Sequence, residues 1–126
     1  SGTLKGRIGR SPVNRQKMAV LKTGGKHAVT HYRTLEAFAK GALVECQLET
    51  GRTHQIRVHL SHAGWPIIGD PVYGRGGKTG IALADAFPRQ ALHARKLRLL
   101  HPGTGREMEF EAELPGDMEG LIEALR

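Results

Sequence analysis

TGRTHQIRVHLSHAGWPIIGDPVYG, residues 50–74, is the stretch on which the reading of this 126-residue chain turns. Arg52, His54, Arg57, His59 and His62 fall within eleven positions, with apolar residues between them and Gly64, Pro66, Gly69, Pro71 and Gly74 following at once. Such a density of guanidinium and imidazole bracketed by turn formers points to a site that handles an anion. Two secondary structures compete for it. Ile56, Val58 and Leu60 alternate with Arg57 and His59, which by itself reads as a strand. The ends read as a helix: Thr50 or Thr53 can cap an N-terminus, and Gly64 before Trp65-Pro66 is a stop. Ile56, Leu60 and Ala63 also recur at helical spacing. The ends decide, and a helix is expected from about Arg52 to Ala63. It would set His54 and Arg57 three residues apart on one side, near the positive end of the helix dipole.

Working outward, strands dominate. Ser1–Arg10 reads as a strand or hairpin arm and Gln16–Leu21 as a short strand. Thr23-Gly24-Gly25-Lys26 reads as a turn joining two antiparallel strands. His27–Phe38 is rich in β-branched and aromatic residues, which favours strand. Ala42, Val44, Cys46 and Leu48 then alternate with Leu43, Glu45, Gln47 and Glu49, the period of a strand with one buried face. Beyond the central stretch, the glycines of Gly74–Gly80 predict a mobile loop, and Ile81–Phe87 a short helix ended by Pro88. Arg95–His101 and Glu107–Glu113 read as strands around the turn Pro102–Gly105. Met118, Leu121, Ile122 and Leu125 have helical spacing. The fold class expected is α+β, a mixed, mainly antiparallel sheet with a few flanking helices.

The length allows one domain or part of one. No apolar run approaches the roughly 20 residues of a membrane helix, and Cys46, the single cysteine, excludes an internal disulfide and fits a reducing cytosol. Residues 1–100 hold 17 Lys and Arg against 5 Asp and Glu, whereas residues 101–126 hold 2 against 7. A basic body with an acidic end suggests a polyanionic partner, nucleic acid above all.

Most chemistries fit poorly. His54, His59 and His62 lack the spacing of a two-histidine zinc helix, and no cysteine pair completes a metal shell. Cys46 lies on the apolar face of a strand, where cysteine is usually inert. Asp70, Asp85 and Asp117 are conceivable nucleophiles, but Asp70, between Gly69 and Pro71, reads better as a turn aspartate bonding nearby amides. The glycine-rich run 74–80 lacks phosphate-loop spacing. The arginines remain. Arg52 and Arg57 cannot both face one way on a helix, so one can contact phosphate while the other points inward to a carboxylate. Arg57, flanked by Ile56 and Val58, is the better inward candidate.

The run LETGRTHQIRVHLSHAGWPIIGDPVYG, residues 48–74, resembles the third sequence motif of the RluA/RluD family of pseudouridine synthases. HAVTHYRTLEAF (27–38) and RQALHARKLRLLHPGTGREMEFEAELPGDM (89–118) resemble the segments that flank it, so the resemblance covers essentially the whole chain. It implies isomerisation of chosen uridines in structured RNA, large-subunit ribosomal RNA in particular, by a cytoplasmic enzyme without cofactor or metal. The base is flipped from its stack, cut from its ribose, turned, and rejoined through C5. It also implies that the last arginine of the T-G-R-x-H-Q-h-R run (h apolar), here Arg57, is catalytic through an ion pair with the aspartate of an H-R-L-D segment. Leu97 would be an apolar neighbour of the flipped base. Arg52 and His54 would support the site or touch backbone phosphates.

The chain contains no H-R-L-D segment and none of the region that carries the family's stacking tyrosine; Tyr32 lies in a different segment and does not take that role. Residues 1–126 are therefore expected to be the C-terminal part of a catalytic domain, inactive alone. The rival readings are a non-catalytic RNA-binding module and a histidine-metal nuclease.

Overall fold

Strand-forming residues are concentrated between positions 29 and 48, and the longest ladder forms there. The computed structural model describes the backbone of residues 1–74, 80–100 and 107–126, and the side chains of 1–74, 80–95 and 111–126. Strand β4 (Val29–Phe38) pairs antiparallel with β5 (Gly41–Leu48) around the tight Ala39-Lys40 turn, with an irregularity between Thr34 and Glu36. Strand β1 (Gly2–Lys5) takes the other edge of β4, Gly2 opposite Tyr32 and Lys5 opposite Val29. Two strand pairs complete the β-structure. One joins β2 (Arg7–Arg10) to β3 (Met18–Leu21), the other β6 (Lys96–Leu100) to β7 (Glu107–Glu111). The helices are α1 (Gln55–His62), α2 (Ala82–Asp85) and α3 (Gly116–Leu125). The fold is α+β with antiparallel sheets, the class expected from the run of strands with a few helices.

Four details depart from the sequence reading. First, the Ser1–Arg10 arm is two strands in two different sheets, divided at Gly6. Second, the Thr23–Lys26 turn does not join a hairpin. Strand β3 pairs back onto β2, and β1 holds the β4 edge that β3 would have needed. Third, no residue of β5 is fully buried, and Leu48 is 44% exposed, because no layer among the described residues covers its apolar face. Fourth, α1 starts at Gln55 rather than near Arg52, and neither threonine caps it. Thr50 Oγ1 is committed to the sheet: it accepts from Val29 N at 3.1 Å and donates to Gln55 Oε1 at 2.6 Å. The mobile loop expected at Gly74–Gly80 and the turn at Pro102–Gly105 fall largely or wholly outside the described residues.

Two apolar clusters hold these pieces. Met118, Leu121 and Leu125 of α3 pack with Ala84 and Phe87, while Ile8, Ala28, Val58 and Tyr73 meet beneath α1. Each of the larger buried side chains, such as Leu121 or Val58, stabilises the fold by about 1.5–3 kcal/mol. The second cluster matters for the site, since it fixes α1 against β2 and β3.

Candidate functional site

Helix α1 presents its arginine inward, and the turn after the helix supplies a partner. The Arg57 guanidinium donates through Nε to Asp70 Oδ2 at 2.9 Å and through Nη2 to Asp70 Oδ1 at 2.8 Å. The pair is buried, with side-chain exposures of 11% for Arg57 and 0% for Asp70. Asp70 is also the turn aspartate its neighbours suggest, because its Oδ1 accepts the amides of Val72 and Tyr73 at 3.0 Å each. Burial pushes its carboxyl pKa up. The Arg57 hydrogen bonds and the two amides outweigh that and bring it down to about 2. The same hydrogen bond raises Arg57, against the pull of burial.

Tyr73 closes the arrangement from below. Its ring lies 5.0 Å from the guanidinium carbon, a cation–π contact. Its hydroxyl accepts from Met18 N at 2.9 Å, which leaves the phenolic proton for His54 Nδ1 at 2.7 Å. His54 itself takes the N-cap position of α1 in the left-handed region, with φ 55°, a conformation that costs on the order of 1 kcal/mol for a side chain with a Cβ. The guanidinium has two forked edges. Asp70 fills the Nε/Nη2 edge, and Nη1 has no partner among the described residues.

Histidine His59 belongs to the packing of the site. Gln55 Nε2 donates to Val29 O and Thr30 Oγ1, Thr30 Oγ1 meets His59 Nδ1 at 2.8 Å, and His59 Nε2 reaches Gly6 O at 3.3 Å. Burial lowers the His59 pKa further than the Gly6 bond raises it. His62 is exposed. Among the described residues no group of three or more His, Cys, Asp or Glu is placed to hold a metal ion. Burial, then Glu45, raises the Cys46 thiol, so it stays protonated and a poor nucleophile. Asp117 is an exposed partner of Arg89, and Asp85 Oδ2 accepts from Gly80 N.

The structure thus gathers Arg57 and His54 around Tyr73. It places Arg52 nearby, with Nε donating to His27 O at 2.8 Å. Leu97 stands in β6 opposite Phe110, and its side chain is outside the described ones. Tyr32 packs edge-to-face on Trp65, 5.6 Å between ring centres, far from this network in the bonding pattern. Asp70 and Tyr73 are the residues that sequence reasoning passed over as site members. The available signal was the i, i+3 spacing within Asp70-Pro71-Val72-Tyr73, which lets an aspartate side chain tie down a following amide and so aim the tyrosine.

Comparison with known proteins points to one family. The family described as RNA pseudouridylate synthase matches residues 1–62. The chain is 53% identical over 121 residues to the ribosomal large subunit pseudouridine synthase D of Zymomonas mobilis, covering 94% of this chain and 38% of that protein. It is 52% identical to the Pseudomonas aeruginosa protein of the same name, covering 99% of this chain and 41% of that one. The solved structure named Human RNA Pseudouridylate Synthase Domain Containing 4 superposes with a TM-score of 0.75 at 30% identity, covering 98% of this chain and 56% of that chain. The chain therefore spans about two-fifths of the length of these curated relatives, and it belongs to the RNA pseudouridine synthase family.

Proposed function

We propose that these residues form the C-terminal part of the catalytic domain of an enzyme that converts uridines of large-subunit ribosomal RNA to pseudouridine. The supporting observation is the state of Arg57: buried, locked along one edge by Asp70, with its second edge unspent among the described residues. In this reading the nucleophilic aspartate lies on a part of the parent enzyme outside the 126 residues. Its carboxylate meets the edge of Arg57 that Asp70 does not take, which holds it ionised and aimed at the ribose–base linkage. Asp70 is not that nucleophile. Both of its oxygens are taken and its side chain is closed to solvent, so no ribose can reach it.

The roles follow from the bonds. Asp70 and the Tyr73 ring orient the guanidinium before substrate arrives, so no reorganisation is needed during the reaction. His54 holds Tyr73 in place. Leu97 is assigned an apolar contact with the flipped base, and Arg52 and His54 support the site. No cofactor or metal enters this scheme.

The test is Arg57→Ala in the full-length parent, read as tritium release from C5-labelled ribosomal RNA alongside RNA affinity. Turnover is expected to fall a hundredfold or more, on the scale of losing one preorganised donor of a catalytic site, with affinity little changed. Preserved turnover with weakened binding would make Arg57 a phosphate contact and end this reading.

A further inference from the structure

The described arginines differ in what their guanidinium groups bond. Arg33, Arg57, Arg89, Arg95 and Arg126 each face a carboxylate within ion-pair distance. Arg7, Arg10 and Arg52 bond only main-chain carbonyls among the described residues, Arg7 Nε to Gly24 O at 2.7 Å, Arg10 Nη1 to Arg15 O at 2.9 Å and Arg52 Nε to His27 O at 2.8 Å. A carbonyl fixes the direction of a guanidinium without neutralising it. Two of these, Arg10 and Arg52, line one place: an open cleft of about 480 Å³ between the β2–β3 pair and the turn into α1, where Lys26 joins them and no lining residue is acidic.

The cleft is built rather than incidental. Lys26 and Ile8 exchange both main-chain hydrogen bonds at 2.8 Å, and Arg7 Nε donates to Gly24 O at 2.7 Å, so the wall that carries the lysine is pinned to β2. That approach requires glycine at position 25, where φ is +64° and a Cβ would come within 2.7 Å of Ile8 O. Across the cleft, a Cβ at Gly51 would meet nothing within 4 Å, which leaves backbone open to a ligand. No lining residue is aromatic, so the cleft lacks the ring platforms on which unpaired bases usually stack. Its floor residue Met18 bonds Tyr73, the residue beneath Arg57, through its amide.

We propose that this cleft binds the sugar–phosphate backbone of the substrate RNA, with Arg10, Lys26 and Arg52 contacting phosphodiester oxygens of a strand that runs on toward Arg57. The proposal rests on the RNA-acting reading above and adds a site to it. Phosphate contacts of this kind position an RNA without reading its sequence, and each weakens binding as salt rises.

The experiment measures RNA affinity of the full-length parent against salt, by fluorescence anisotropy of a labelled ribosomal stem-loop, for the wild type, the double variant Arg10→Gln/Lys26→Gln, and Lys40→Gln. Lys40 is exposed in the β4–β5 turn, away from the cleft. The double variant is expected to lower the slope of log affinity against log salt by about two units, one per cation, with an unchanged melting temperature. Lys26→Arg alone should keep the wild-type slope. An equal loss in Lys40→Gln would show a general charge effect and overturn the cleft. An unchanged slope in the double variant would overturn it too, while leaving the Arg57 reading to its own turnover test.

Discussion

At the scale of single residues, Asp70 governs what Arg57 can do. A buried guanidinium with no carboxylate would be an uncompensated charge, and removing one member of such a pair typically costs about 3–5 kcal/mol. Asp70→Asn should therefore lower the stability of the protein by an amount in that range, read as a shift of the urea midpoint. It should also reduce turnover in the parent more than RNA affinity, since Arg57 would lose its aim before it lost its charge. The inward setting of Arg57 was legible from Ile56 and Val58 on either side of it, and the turn role of Asp70 from Gly69 and Pro71. Their meeting was not. Thirteen residues separate them, and the pairing depends on how the 63–69 connection folds back, which no local pattern encodes.

At the scale of elements, that connection is governed by Gly69. Its φ is +78°, and a Cβ there would collide with the carbonyl oxygen of Arg89. Gly64, at φ +91°, has nothing within 4 Å of the same imagined atom. Gly64→Ala should cost about 1 kcal/mol or somewhat more for the backbone conformation alone. Gly69→Ala should cost clearly more, and the difference between the two denaturation midpoints isolates the collision. Glycine punctuation made the elements easy to find here, and β-branched content located β4, and period-two alternation β5, to within a few residues. What alternation does not carry is sheet membership. The pattern at Thr23–Lys26 is the same whether the flanking strands pair with each other or with β2 and β1. The start of α1 was misread for a related reason: Thr50 has the chemistry of a helix cap but spends it on Val29 and Gln55.

At the scale of the whole molecule, acid should weaken the fold in two stages. His59 is buried with a pKa below its ordinary 6.5, so the folded state resists the proton that the unfolded chain takes up. Its contribution is full above about 6.5 and erodes as pH falls below that value. Asp70, lowered from 3.8 to about 2, contributes fully above about 4 and loses its contribution as pH drops toward 2. Melting temperatures taken across that range should be flat near neutrality, decline below about 6.5, and decline again below about 4. A profile that rose on acidification would contradict the buried setting of both groups. One topological fact reaches further. Lys5 and Val29 are register partners, so the chain leaves the three-stranded sheet and re-enters it at the same rung, and everything from Arg7 to Ala28 is an excursion. Lengthening such a detour costs only about 0.6 kcal/mol per doubling in closure entropy. Length can therefore be added cheaply at the bend over residues 11–16 between β2 and β3, whereas Ile8, Met18 and Val20, which pack on α1 and Tyr73, are not free to change.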